Sequence, residues 1–292
     1  MIIDFHTHVV QPDVRHNRGD YFSDEPEFKL LYESPGAKLA GAEDTIAAMD
    51  EAGVDRSVIF GFPWRNPETV RQNNDYVLSA VQRYPDRLIG FCCVNPARRD
   101  AADEVNRCLR AGCAGVGELA FYGGGIDAAA LEMLAPVMEA CRSHNVIALI
   151  HTNEPIGHMY PGKVPMTLGQ IYAMVKRFKE NKIVLAHWGG GLFLYSLLKR
   201  EVRKNLKHVW FDTAASPFLY EPKIYHIAKK TIGLEKVLFG TDYPLLKPIR
   251  YFNEMRDAGL TEQEISAVCG DNAAALLNGN RPFFYSEKAS SD

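Results

Sequence analysis

Residues 2–10 have the sequence IIDFHTHVV, in which a short apolar run leads into two histidines separated by one residue. Seven more short runs rich in Val, Ile, Leu and Phe follow along the chain. Nearly continuous apolarity over a few residues is typical of a strand buried on both faces of a parallel sheet. We therefore predict strands at 2–6, 56–62, 88–94, 114–119, 146–151, 183–187, 209–212 and 237–240.

Longer segments with helical periodicity separate these runs, and several carry an end signal. Segment 43–52 ends at Gly53, 67–83 is followed by Pro85, and 127–143 begins with an acid that can cap a helix. The other predicted helices are 101–111, 167–179, 191–204, 221–232, 249–259 and 261–277. Strands alternating with helices predict an α/β fold, a (β/α)8 TIM barrel in one domain. An open doubly wound sheet is the alternative, but no Gly-rich dinucleotide turn follows the first strand.

The predicted domain covers residues 1–280 and contains two long connections. Residues 9–42 follow the first strand, and residues 152–166 follow the fifth. Both would lie on the face where barrels hold their active sites, so we expect a lid or pocket role, with solvated decoration as the alternative. We expect residues 281–292 to form a poorly ordered tail.

The composition excludes several classes of protein. Of 292 residues, 47% are hydrophobic and 24% charged, as in an ordinary globular protein. The net charge of −3 argues against binding of nucleic acid or anionic membranes. We see neither a membrane-spanning run nor a signal peptide, and the six cysteines form no CxxC pair, so we expect a cytoplasmic protein with reduced thiols. The expected partner is a small-molecule substrate.

Polar residues collect at the carboxyl ends of the predicted strands. His6 and His8 are two residues apart on a strand, so both side chains point to the same side. A single buried histidine is more often an ordinary core group, but here several coincide with carboxylates. Imidazoles and carboxylates together match the ligand set of zinc or a similar divalent ion. The other candidates are Glu118, His151, His187 and Asp242.

These residues lie in motifs that resemble those of a known superfamily. The motifs are DFHTH at 4–8, HTNE at 151–154, AHWGGG at 186–191, FDT at 211–213, GTDYP at 240–244 and DNAA at 271–274. Together they resemble the amidohydrolase superfamily. They are most similar to the amidohydrolase-related branch, which also contains aminocarboxymuconate-semialdehyde and resorcylate decarboxylases. The resemblance spans nearly the whole chain, but it indicates the superfamily better than the substrate.

The resemblance implies a divalent metal, with zinc as the default and manganese or iron as alternatives. In the family, the histidine pair, a histidine after strand 5 and an aspartate after strand 8 hold the ion. The matching positions here are His6, His8, His151 and Asp242. His187 would be a ligand of a second ion or a catalytic group, and Glu118 would bridge two ions or only form hydrogen bonds, so one or two ions are possible. A homodimer is common among relatives.

These parts fit hydrolysis of an amide, ester or lactone by metal-activated water, with Asp242 and His187 as catalytic groups. The same parts fit a metal-dependent carboxy-lyase acting on an aromatic or unsaturated acid, which is the alternative, and they also fit a hydratase. Arg65 is a candidate for binding a substrate carboxylate, with a surface ion pair as the plain alternative. His158 and Tyr160 are candidate pocket residues, unless the segment around them is a simple turn.

Overall fold

The computed structural model describes residues 1–198 and 200–279, and these form eight parallel strands paired in chain order. The ring closes where Phe5 donates its backbone N–H to Phe239 at 2.8 Å and Thr7 bridges to Tyr243. The strands are β1 Ile3–His8, β2 Arg56–Phe60, β3 Leu88–Cys92, β4 Gly115–Leu119, β5 Ile147–Ile150, β6 Lys182–Leu185, β7 Val209–Asp212 and β8 Val237–Leu238. The predicted (β/α)8 barrel is confirmed.

Helices follow the strands around the outside of the barrel. Most predicted helices are present with ends shifted by no more than three residues, and Asp127 caps its helix by accepting from the Ala130 N–H. The helices that match predictions are α3 Ala42–Ala52, α4 Pro67–Arg83, α5 Ala101–Arg110, α6 Ala128–Ser143, α7 Leu168–Arg177, α10 Ile224–Thr231 and α11 Pro248–Asp257. The shorter helices are α1 Pro12–His16, α2 Pro26–Tyr32, α8 Arg200–Asn205, α9 Ser216–Leu219, α12 Glu262–Ser266 and α13 Asn272–Asn278.

Two predicted helices are wrong in detail. In place of one helix over 191–204, the chain forms a 3-10 segment His187–Leu197 and then α8. The 3-10 segment begins with left-handed residues, which cannot continue an α-helix. The predicted helix 261–277 is divided by a π-helical turn, Ala267–Asp271, between α12 and α13.

Two apolar clusters hold the barrel together. The larger lies mainly between the strands and the outer helices, and the smaller fills the interior from alternating strand positions. The interior cluster includes Ile3, Phe5, Val58, Phe60, Ile89, Phe91, Ile147, Leu149, Val184, Leu238 and, from α13, Ala273 and Leu276. All six cysteines are buried and free. None of the described helices has the length and apolarity needed to cross a membrane.

The two long connections differ in structure. Residues 9–42 contain α1, a 3-10 turn Arg18–Tyr21 and α2, and Phe28 anchors them on the barrel by packing against Trp64 at 4.5 Å between ring centroids. Residues 152–166 form neither helix nor strand as the structure describes them. The lid role of 9–42 stays a prediction, and the predicted tail 281–292 lies outside the described residues.

Candidate metal centre

The six candidate ligands converge at the carboxyl ends of the strands. They are His6 and His8 on β1, Glu118 on β4, His151 after β5, His187 after β6 and Asp242 after β8. The side chains of His8 and Asp242 are 17% and 16% exposed, whereas the others are buried. The cluster therefore opens to solvent on the side of His8 and Asp242.

Carboxylate oxygens of Asp242 and Glu118 lie near the Nε2 atoms of both His6 and His8. The Nε2 atoms of His6 and His8 are 3.2 Å apart, and Asp242 Oδ1 lies 3.6 Å and 3.1 Å from them. Glu118 Oε2 lies 3.8 Å from both nitrogens. Ligands about 2.1 Å from one ion in tetrahedral geometry are about 3.4 Å apart. Two imidazoles and two carboxylates at this spacing fit a divalent metal ion.

Glu118 also faces a second group through its other oxygen. Its Oε1 atom lies 3.0 Å from His151 Nδ1 and 3.6 Å from His187 Nε2. These donor atoms are all within 4.8 Å of one another, so this group too can hold a metal ion. The carboxylate of Glu118 is therefore placed to join the two groups.

In three of the imidazoles, the ring nitrogen that points away from the cluster (the outer nitrogen) forms a hydrogen bond with an oxygen acceptor. A carbonyl oxygen accepts but cannot donate, so a ring nitrogen facing it must carry the proton. The other nitrogen of a neutral ring then presents a lone pair to the cluster, which is how metal-binding histidines are usually oriented. The contacts are His6 Nδ1 to Asp212 Oδ2 at 2.8 Å, His151 Nε2 to the Gly162 carbonyl at 3.0 Å and His187 Nδ1 to the Ala214 carbonyl at 2.9 Å.

Asp212 is a site residue that the sequence analysis did not single out. Besides His6, it accepts the backbone N–H groups of His187 at 2.9 Å and Ala214 at 3.0 Å. It thus ties the end of β7 to groups on β1 and after β6. The available signal was an acid at the end of a largely apolar strand, within the motif at 211–213, but nothing in the sequence identified its partners.

Asp4 helps to position Asp242 by binding the residue before it, Thr241. Its carboxylate accepts the Thr241 N–H at 3.0 Å and the Thr241 hydroxyl at 2.6 Å. Asp242, the next residue, has a left-handed backbone (φ 62°) and donates its N–H to the His6 carbonyl at 2.9 Å. Burial raises the pKa of Asp4 to about 7, although the hydrogen bonds from Thr241 oppose it. These bonds hold Asp242 beside the histidine pair.

The charges of the cluster depend on one another. Burial lowers the pKa of His6, but the carboxylates of Asp212 and Glu118 outweigh it and raise this pKa to about 10. The pKa of His187 is likewise raised to about 9, because Glu118 and Asp242 outweigh burial. Burial favours protonation of Glu118 and Asp242, yet the neighbouring imidazoles hold the pKa of both carboxyls below the usual range. The carboxylates thus retain protons on the imidazoles, and a metal ion can replace those protons.

The three candidate substrate ligands lie outside this cluster. Arg65 is 52% exposed and pairs with Glu27, and it lines an outer cavity of about 420 Å³. Tyr160 donates its hydroxyl to Glu154 at 2.8 Å. His158 is exposed, and its ring packs on Tyr160 at 6.0 Å between centroids. None of the described contacts joins Arg65, His158 or Tyr160 to the metal ligands, so their substrate-binding role stays a prediction.

Aromatic rings that the sequence analysis did not single out line the cluster. Phe60 lies 4.8 Å from the ring of His8 and 5.1 Å from that of His6, between centroids. Tyr122 lies 5.3 Å from His151 and stacks on Phe62 at 5.8 Å. In the sequence these residues resemble ordinary core and loop residues. The histidines of the metal centre are therefore packed against aromatic side chains.

A family model described as amidohydrolase matches residues 3–279. The chain belongs to the amidohydrolase family. A curated relative in this family is gamma-resorcylate decarboxylase from Polaromonas sp. strain JS666. It is 21% identical, over 81% of this chain and 87% of the relative.

Two solved structures share the fold of this amidohydrolase-family chain. A dihydroxybenzoic acid decarboxylase from Polaromonas sp. JS666, with manganese and 2-nitroresorcinol bound, is 18% identical with a TM-score of 0.68 and covers 96% and 97% of the two chains. A 5-carboxyvanillate decarboxylase from Novosphingobium aromaticivorans, with manganese and a nitrobenzoic acid, is also 18% identical. Its TM-score is 0.74, and the shared part covers 95% of this chain and 96% of that one.

The comparisons correct the main functional prediction. The chain is an enzyme of the amidohydrolase family, but the expected hydrolysis of an amide, ester or lactone is wrong, because the relatives just described are decarboxylases. The carboxy-lyase alternative is better supported. A divalent metal is supported by the donor cluster and by the manganese of the two solved structures, whereas zinc is not specifically supported.

Proposed function

We propose that this enzyme is a metal-dependent decarboxylase of hydroxylated aromatic acids, of the class represented by dihydroxybenzoate and 5-carboxyvanillate. The observation that carries the proposal is the four-donor group, set beside aromatic rings, in a chain whose relatives are named for this chemistry. Tyr122 would contact a planar substrate, and aromatic pairs contribute about 0.5–1.5 kcal/mol beyond burial.

His6, His8, Glu118 and Asp242 would hold the ion, which we propose to be manganese. Two imidazoles with two carboxylates suit manganese, iron or zinc. When bound, the ion supplies positive charge that binds and orients the oxygens of an anionic substrate. The carboxylates of Glu118 and Asp242 offset that charge. Since His8 and Asp242 are the most exposed members, substrate would approach on their side.

The reaction needs a proton for the ring carbon that loses carbon dioxide. The carbon–carbon bond breaks, its electron pair stays with the ring, and one proton is taken up for each carbon dioxide released. We assign the proton to Nε2 of His187, because Nδ1 donates to the Ala214 carbonyl and Nε2 faces the cluster. The carboxylates of Glu118 and Asp242 outweigh burial and raise the pKa of this imidazole in the ion-free chain, which favours its protonated form. The charge of Asp242 helps retain the proton there, and solvent restores it after turnover.

Residues outside the metal centre would guide the substrate toward it. We propose that Arg65, with Arg98 in the same outer cavity, attracts the aromatic acid before it reaches the metal centre. His158 and Tyr160 belong to the segment after β5 and would border that path. The homodimer stays a prediction, which sedimentation velocity tests.

The proposal is tested by incubating the manganese-loaded enzyme with 2,6-dihydroxybenzoate, 5-carboxyvanillate and unsubstituted benzoate. We expect release of carbon dioxide from at least one hydroxylated acid and, in D₂O, one deuterium on the carbon that bore the carboxylate. Manganese bound in full with no carbon dioxide from any hydroxylated aromatic acid would refute the assignment.

The proton role is tested separately with H187N. A positioned acid contributes about 10²–10⁴-fold to the rate, so we expect kcat to fall within that range. Manganese content should match the wild type if the ion lies in the four-donor group. A drop in the number of ions bound per chain would instead identify His187 as a ligand of a second ion and contradict the proton assignment.

A further inference from the structure

The irregular segment after β5 is organised around a buried lysine. Lys163 is only 9% exposed, and its ammonium donates to Glu154 Oε1 at 2.7 Å, to the Ile156 carbonyl at 2.8 Å and to the His158 carbonyl at 3.3 Å. A buried ammonium must satisfy its donors within the protein, and these three acceptors do so. The segment therefore closes on itself around one cation.

Two further contacts fasten this segment. Tyr160 donates its hydroxyl to the second oxygen of Glu154 at 2.8 Å. Asn153 accepts the Val164 N–H at 2.8 Å and donates its amide to the Val164 carbonyl at 3.1 Å. Gly162 is a buried turn residue directly before Lys163, and its φ is +96°. The direction of its carbonyl is thus set by the folded segment.

That carbonyl is the group that accepts from the outer nitrogen of His151, at 3.0 Å. The opposite ring nitrogen faces Glu118 at 3.0 Å. We propose that Lys163 is a positioning residue of the metal centre, which acts by holding the Gly162 carbonyl against Nε2 of His151. The ring is then fixed with Nδ1 toward the cluster. The proposal requires the metal centre but not the identity of the substrate.

The alternative is that Lys163 only stabilises its own segment. In that case its removal would lower stability, but the protonation pattern of His151 and the affinity for metal would not change. A positioning role instead links the Lys163 ammonium to Nε2 of His151, twelve residues earlier in the sequence, so the protonation pattern and the metal affinity should change together.

The experiment compares K163M with K176M in the full-length protein. Lys176 is a matched control because it is an exposed lysine on α7 whose ion pair with Glu201 is on the surface. Nitrogen-15 spectra of the histidine rings, recorded with Zn²⁺ bound and assigned with H151N, show which nitrogen of His151 carries the proton. Calorimetric titration with Mn²⁺ gives the affinity of the ion. Neither measurement uses catalytic activity.

We expect wild type and K176M to keep a protected proton on Nε2 of His151. In K163M this proton should exchange with solvent and the ring should populate both tautomers. His151 contacts the proposed ligand Glu118, and loss of a group that orients a metal ligand typically weakens metal binding by about 10–100-fold, so we expect a loss in that range. A folded K163M that retains the protected proton and the affinity of K176M would overturn the proposal.

A second pair of variants covers the case in which K163M does not fold. G162A has room for its methyl group but places it on a left-handed backbone, so the carbonyl must turn. G112A carries the same kind of strain (φ +114°) with no atom within 4 Å, on the connection before β4. We expect only G162A to change the His151 spectrum and weaken Mn²⁺ binding. Equal behaviour of the two variants would also overturn the proposal.

Discussion

Asp212 acts on the metal centre through a hydrogen bond to a histidine 206 residues earlier in the chain. Its charge favours the proton on Nδ1 of His6, and this leaves Nε2 for a metal ion. Replacement by asparagine keeps the size of the side chain and an oxygen that accepts, but removes the charge. We expect D212N to bind Mn²⁺ about 10–100-fold more weakly than wild type, as for other groups that orient metal-binding histidines.

Electron paramagnetic resonance of free Mn²⁺ during a titration measures this affinity. The control is D13N, because Asp13 lies on the surface, where its carboxylate accepts hydrogen bonds from Asn17 and Tyr21. Equal affinity of D212N and D13N would show that Asp212 holds the barrel together without affecting the metal centre.

At the scale of residues, the sequence predicted the six side chains that converge at the barrel mouth better than the groups that orient them. The six candidate ligands were identifiable because imidazoles and carboxylates followed apolar strands. Gly162 and Ala214 could not be identified, since a backbone carbonyl has no signature in the sequence. Arg65 looked like a carboxylate ligand for the same reason that it pairs with Glu27: a guanidinium binds any nearby carboxylate.

At the scale of elements, the turn after β6 departs most from the predicted pattern. His187, Trp188 and the three glycines that follow have φ between 55° and 92°. The apolar residues beyond Gly191 predicted a helix over 191–204, but left-handed residues cannot start one. This turn is tightly packed as well: a Cβ on Gly190 would lie 2.3 Å from the Asn153 carbonyl oxygen.

We expect G190A to be far more destabilising than G53A. Gly53 has a similar left-handed backbone (φ +70°) but no atom within 4 Å of an added Cβ, so its variant should lose only about 1–2 kcal/mol. G190A adds a clash with the backbone, and overpacking costs about 1–3 kcal/mol more. Urea unfolding of both variants gives the two free energies. Similar values would mean that the turn moves to accommodate the methyl group.

The sequence pattern also did not predict where the pairing register between neighbouring strands shifts. The pairing of β1 with β2 shifts between Asp4 and Thr7, and that of β4 with β5 shifts between Val116 and Leu119. Such shifts change the direction of side chains. They lie at His6 and Glu118, two proposed ligands. Both shifts depend on the neighbouring strand, so a pattern read along one strand could not predict them.

At the scale of the whole molecule, the barrel was predictable because its strands are short, apolar and separated by helices. The same architecture concentrates charge, since side chains from β1, β4, β7 and β8 meet at one mouth. Asp212, Glu118 and Asp242 lie around buried imidazoles there. The stability of the molecule should therefore depend on pH and on the bound ion together.

The sign of the pH dependence follows from the shifted pKa values. His6 and His187 have folded pKa values of about 10 and 9, above their ordinary value of 6.5, so their protonation stabilises the fold fully below pH 6.5. This contribution is lost as the pH rises through 9 and 10. Asp4, with its pKa raised to about 7, makes stability fall between about pH 4 and 7 as its buried carboxyl ionises. The ion-free protein should thus lose stability steadily from pH 6 to pH 9.5.

Mn²⁺ should counteract this loss, because the ion would bind the Nε2 atoms of His6 and His8 and would replace the proton at His6. At a free concentration one hundred times the dissociation constant, a bound ion adds about 2.7 kcal/mol to the free energy of unfolding, and the dissociation constant should fall as the pH rises. Urea unfolding at pH 6, 8 and 9.5, with EDTA or with Mn²⁺ under nitrogen, measures both trends. We expect the difference between the two series to widen toward alkaline pH, and D212N to show a smaller alkaline loss in EDTA. A constant difference across the three pH values would mean that protons and the ion do not compete for these imidazoles, and that the ion binds elsewhere.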